Sequence, residues 1–329
     1  MNNFRKCLEI VALVLALALV FMGCSNGSTE ELIIPTGANL AEKLSWIKTN
    51  VKNGGTYEIS LNANETIGGV YDATPDLTSK PNYLDYGGKT VKILLKGDGS
   101  MRTVSIGAAD GNLFWVSSGV TFVLGNNITL HGKNNNNSPV IFVDESGVLE
   151  MNSNAVITGN TFTGVAGGGV VVYKGSFKMS GGTITNNIGE YGGGVNINNG
   201  TFIMSSGTIS GNEAKTHGGG VLVCLGTNFE MSGGTISGNF VSNGDKTGGG
   251  VYLWNEAIFT MTGGTISSNQ ASINGGGVYL ITNSVFNLNS SLLTSIHSNT
   301  NSSGPQQIYV NSDSTIKIDG NAQPVPYDY

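Results

Sequence analysis

The sequence predicts an all-β fold: a right-handed parallel β-helix with three short strands per turn and an N-terminal capping α-helix. Three observations predict it. Gly-Gly-Gly-Val begins at Gly167, Gly192, Gly218, Gly248 and Gly275, so one unit recurs at steps of 25, 26, 30 and 27 residues. Each unit carries three short runs of period-two alternation separated by Gly, Ser and Asn, the pattern of strands punctuated by turns. Finally, 50 of the 329 residues are glycine and only 12% are charged, yet 39% are hydrophobic. Such a chain has a core to bury, which argues against charge-driven disorder. Its clustered glycines and 7 prolines exclude collagen.

Residues 1–23 read as a lipoprotein-type signal peptide. Arg5 and Lys6 form a basic start, and Ile10 to Met22 an apolar stretch too short to span a bilayer comfortably. The stretch ends in Phe21-Met22-Gly23-Cys24, which resembles the bacterial lipoprotein box. That resemblance implies lipidation at Cys24, an exported chain, and a lipid anchor at the bacterial outer membrane or cell surface. Residues 24–37 follow as a tether. Ala38 to Val51 has Leu40, Leu44, Ile47 and Val51 on one helical face and is stopped by Gly54-Gly55. A solenoid leaves an open end that invites aggregation, and this helix is expected to plug the N-terminal one. Runs at Tyr57–Leu61, Val91–Leu95 and Thr103–Ile106 complete a region, 38–110, read as the cap and one irregular turn.

The repeats proper occupy 111–329: seven full units and an incomplete eighth, which with the irregular turn before them make nine, or roughly 40 Å at the ~4.8 Å strand spacing. The leucine-rich and calcium β-roll repeat patterns are absent. Right-handed connection is the rule for parallel strands. In one turn Val251, Leu253, Phe259, Met261 and Ile266 face inward; in the next, Val278, Leu280, Phe286, Leu288 and Ile296 take their places. Blunting of the C-terminal end is expected from Asp313, Lys317, Asp319, Pro324 and Pro326.

Gly-Gly-Gly-Val-Tyr-Leu followed by Phe-x-Met-x-Gly-Gly-Thr-Ile-Ser-x-Asn resembles the glycine-rich right-handed β-helix repeats of bacterial surface lipoproteins, within the pectin-lyase-like superfold. The resemblance implies the fold. It says little about activity, because a superfold hosts unrelated functions.

Composition narrows the function. The net charge is −6 and arginine occurs only at Arg5 and Arg102, so no basic face awaits nucleic acid. Cys7, Cys24 and Cys224 make no disulfide framework. Neither a cofactor nor a metal site is expected. Glycoside hydrolysis needs two carboxylates close together. Glu150 and Glu230, on the outward middle of the second strand, are three turns apart, about 14 Å. Asp144-Glu145 reads as a solvated pair in a turn. Lyase chemistry of the superfold implies a calcium cluster and an arginine base, and no arginine follows Arg102. His131, His217 and His297 fall in different turns and read as surface residues, and Cys224 as a buried or half-buried thiol.

Two outward columns remain. The first strand presents Trp115, Phe142, Val171, Asn196, Leu222, Tyr252, Tyr279 and Tyr309, and two residues on, Tyr173, Asn198, Cys224, Trp254 and Ile281. A solvated face should be polar, and this one is largely apolar. Tyr173, Leu222, Tyr252, Trp254 and Tyr279 are therefore the candidate binding residues, either a contact stripe for glycan or protein or a seam covered by segment 62–88 or the tail. The third strand carries Thr and Ser ladders, which suit a strand surface. Asn187, Asn212, Asn239, Asn269 and Asn299 form a column expected to be structural. The expected function is binding or adhesion to a glycan or a host or partner protein. The alternatives are a carbohydrate-active lyase or hydrolase and a passive surface coat or spacer.

Overall fold

Phe177, Phe202, Phe229, Phe259 and Phe286 lie in register on successive parallel strands, one per turn. Their rings stack at 4.9, 4.6, 4.4 and 4.6 Å between centroids, all within 9° of parallel. The protein is thus a parallel β-solenoid of about ten turns. The computed structural model describes residues 31–71, 76–164, 166–242, 247–324 and 327–328, and the solenoid lies within the unit Ile33–Tyr329. The predicted signal at 1–23, Cys24 and Pro326 fall outside the described residues.

One turn more is present than the sequence count gave. Tyr57 pairs in parallel with Ile93, so the runs at 57–61 and 91–95 are consecutive turns, not one irregular turn. The first strands, from Tyr83–Leu84 through Val251–Trp254 to Ile308–Val310, stack in one sheet. The second and third strands share another and run together as ten-residue strands in several turns, such as Ile258–Ser267, bent at the Gly-Gly pair. All ten inward residues of the two turns named above are at least 96% buried. Each such apolar side chain contributes about 1.5–3 kcal/mol, which explains how so weakly charged a chain holds together.

The Gly-Gly-Gly corner has two separate causes. At Gly248 the backbone takes φ +70°, the left-handed region that favours glycine. At Gly249 a Cβ would sit 2.5 Å from the Gln270 carbonyl oxygen and 2.6 Å from that of Gly276, so backbone excludes any side chain. This close approach exists because a fourth run, unforeseen in the sequence, pairs beside the corner: Ile188–Tyr191, Glu213–His217 and Phe240–Val241 form a small parallel sheet.

The asparagine column is structural, as expected. Asn187, Asn212, Asn239, Asn269 and Asn299 have no exposed surface. Each amide Nδ2 from Asn187 to Asn269 donates to the Oδ1 of the next turn, at 2.9–3.2 Å. The last, Asn299, donates to Gln307 Oε1 at 3.0 Å.

The cap helix spans Leu40–Asn50. Asn39 Oδ1 accepts from the Glu42 backbone N–H at 2.9 Å, and Glu42 Oε2 accepts from Ala38 N–H at 2.8 Å, a reciprocal N-terminal box. Leu40, Leu44 and Ile47 are fully buried against the first turn, with Val51 partly so. At the other end the chain folds back. Asn321–Ala322 pairs antiparallel with Lys317–Ile318, and Tyr327–Asp328 with Tyr309–Val310. Backbone pairing therefore covers part of the final edge.

Candidate functional site

Alternation on the first strand fixes the site. In Val251–Trp254, Val251 and Leu253 enter the core, so Tyr252 and Trp254 must face out. The corner strand then rises beside the sheet and makes a wall. His217, at its end, stacks on Tyr252 at 4.5 Å and 15°, with Tyr191 one turn away at 6.1 Å. Thr247 Oγ1 lies 3.2 Å from His217 Nδ1. Between this wall and Trp254 lies a cleft of about 500 Å3, floored by Asn196, Asn198, Leu222 and Cys224.

The five predicted residues fall into two groups. Tyr173 and Trp254 are exposed, at 39% and 45%. Leu222, Tyr252 and Tyr279 face outward yet are more than 90% buried. The cause is mutual cover: stacking continues from Tyr252 to Tyr279 and on to Tyr309, at 5.3 Å each. Leu222, Cys224, Tyr252 and Tyr279 form a small apolar cluster of their own outside the main core. Burial raises the pKa of both Tyr252 and Tyr279, so these phenols stay neutral.

Tyr173 and Trp254 stand in one column, separated by Asn198 and Cys224 in register. Three strand spacings put the two rings about 14 Å apart. Tyr173 belongs to a second hollow of about 400 Å3, lined also by Trp115, Phe142, Val171 and Asn112. Val171 and Tyr173 pair with Asn196 and Asn198, so the two hollows occupy adjoining turns of one sheet. The described part of segment 62–88 reaches the near end of this face. Tyr83 packs edge-on against Trp115 at 5.6 Å, and Val70 pairs with Asn112.

Three buried amide oxygens on this face accept no hydrogen bond from the described residues: Asn112, Asn196 and Asn198 Oδ1. For two of them the orientation is fixed. Asn196 Nδ2 donates to Tyr191 O at 3.3 Å, and Asn112 Nδ2 to Val70 O at 2.8 Å. Turning either amide over would set oxygen against oxygen, so each Oδ1 is held as an acceptor awaiting a donor. The sequence placed Asn196 and Asn198 in the outward columns without marking them as site residues. The signal was there, since two amides interrupt otherwise apolar positions.

Several other chemistry-bearing groups are engaged by partners of their own. Lys178 lies 3.5 Å from Glu150, and Lys174 3.8 Å from Glu145. Asp144, read as simply solvated, accepts from Trp115 Nε1 at 3.3 Å and so positions that ring. Glu190 Oε1 accepts from Thr216 Oγ1. Among the described residues no group of three His, Cys, Asp or Glu side chains is placed to hold a metal ion. His131 and His297 are exposed, whereas His217 belongs to the cleft wall.

Cys224 is buried, and its Sγ donates to Ile197 O at 3.4 Å. Burial pushes this thiol from its ordinary 9.0 up to about 12, which leaves about a thousandfold less thiolate near pH 8. Native Cys224 should therefore alkylate at least a hundredfold more slowly than in urea, read by mass spectrometry of its peptide. Equal rates would contradict the burial. Because folding favours the protonated thiol, this group's share of stability is complete below pH 9.0 and lost as pH rises toward about 12.

No family model, curated protein or solved structure matches the chain. Fold and site together define a class: a repeat solenoid with an aromatic, amide-floored cleft on its outer wall.

Proposed function

We propose that this chain is an exported bacterial surface protein, lipidated at Cys24, that works by binding a glycan or a surface protein. The anchor rests on the basic, apolar and Gly23-Cys24 pattern of the first residues. The binding role rests on one observation above all: the cleft combines aromatic rings with buried amide acceptors, and among the described residues that line it none is a carboxylate, lysine or arginine. Rings and amides hold a ligand, whereas acid–base cleavage asks for paired carboxylates. The solenoid then serves as a stiff support that carries the cleft away from the membrane.

The reading is tested by incubating the full chain with neutral and acidic polysaccharides and sizing the recovered chains. Unchanged lengths are expected. New chain ends that disappear on replacing a single carboxylate, such as Glu190→Gln, would make the protein an enzyme.

A further inference from the structure

We infer that the cleft floored by Asn196 and Asn198 takes a neutral, hydroxyl-rich saccharide lying along the solenoid axis, an inference that rests on the binding role proposed above. The acceptors argue for a donor-rich ligand. Asn196 Oδ1 is fixed in place by the bond from its own Nδ2 to Tyr191 O, and a saccharide hydroxyl would supply the hydrogen bond it lacks. The rings argue for a ligand with apolar faces: Trp254 stands exposed and lines the same cleft, as a sugar's C–H face requires. The charge argues against an acidic sugar, because among the described residues no lysine or arginine lines the cleft to pair with a carboxylate entering it.

The direction follows from the register. Asn196, Leu222 and Tyr252 succeed one another across three strands, so the floor runs along the axis rather than along a strand. Asn112 repeats the arrangement in the adjoining hollow, which Trp115 also lines, with its Nδ2 committed to Val70 O and its Oδ1 without a partner among the described residues. Both hollows combine aromatic rings with a buried amide oxygen, and Asp144, which lines the second, is engaged by Trp115 Nε1. Two such hollows on one face suit a linear oligosaccharide better than a single sugar.

The experiment titrates the full chain with maltohexaose, cellohexaose and mannohexaose, and with hexagalacturonate, following tryptophan fluorescence and calorimetry. At least one neutral hexasaccharide is expected to bind and to outcompete the acidic one. Asn196→Leu and Trp254→Ala should each weaken it about tenfold. Trp254→Ala alters an exposed ring and leaves folding intact, so the test does not depend on how Asn196→Leu folds. Preference for the acidic sugar, binding to none of the four, or affinity unchanged in both variants would overturn the inference. Attachment to a surface protein through Trp254 without saccharide binding would also overturn it, while leaving the binding role itself in place.

Discussion

Phe229→Ala should cost about 3–5 kcal/mol, among the largest effects of any single substitution in this chain. The ring has no exposed surface and is sandwiched between Phe202, at 4.6 Å and 9°, and Phe259, at 4.4 Å and 5°. Truncation removes two stacked contacts and opens a void that the neighbouring turns are poorly able to fill. Their backbones are held by the ladders on both sides, from Thr201↔Asn228 to Asn228↔Ile258. A solenoid transmits stability through nearest-neighbour interfaces, so one residue here weakens two of them. Urea unfolding measures the loss, and hydrogen exchange should localise it to the turns carrying Phe202 and Phe259. A change below about 1 kcal/mol, or one spread evenly over the chain, would contradict the ladder.

Asn239→Leu is the second large effect, and its cause is polar. Asn239 Oδ1 accepts from the backbone N–H and the Nδ2 of Asn212, both at 3.0 Å, and its Nδ2 donates to Ile209 O at 2.9 Å and Asn269 Oδ1 at 3.0 Å. Leucine is of similar size but meets none of these needs. The Asn212 N–H and the side-chain partners are left short of hydrogen bonds in a fully buried corner. At about 1–3 kcal/mol for each group left unsatisfied, a loss of about 3–5 kcal/mol is expected in the same urea measurement. A neutral outcome would mean that water or a shifted backbone replaces the ladder.

Much of the fold was legible in the sequence because a solenoid writes its structure repeatedly. Each inward residue reports on itself and on its equivalents a turn away, so Phe229, Phe259 and Phe286 identify one another without any long-range inference. The cap helix was legible for a local reason, an apolar face behind Asn39 and before Gly54. The corner strand was not. Its sequences differ from turn to turn and show no sustained alternation. Glu213-Ala214-Lys215-Thr216-His217 carries a single apolar residue, and Phe240–Val241 is only two residues long, so pairing there is imposed by the neighbouring turns rather than by local pattern. The division between the two first turns was obscured likewise, since a long insertion separates Leu61 from Val91.

The site was legible in part. Strand alternation correctly turned Tyr252, Trp254 and Tyr279 outward. Alternation carries no information on what stands beside a strand, so the wall formed by Tyr191 and His217, and with it the burial of Tyr252, appears only in three dimensions. The same holds for Asn196. Its type is visible in the sequence, but its value as an acceptor comes from the Tyr191 carbonyl that fixes its amide.

The binding role of this outer face is tested most directly by attachment of the labelled full chain to immobilised polysaccharides and fixed cells, with and without the pair Tyr173→Ala and Trp254→Ala. Both rings are exposed, so the double variant should fold and melt as the parent does. The account predicts that the parent attaches and that the double variant loses at least about nine-tenths of it, as expected when exposed aromatic anchors are removed. Undiminished attachment of the double variant would contradict it.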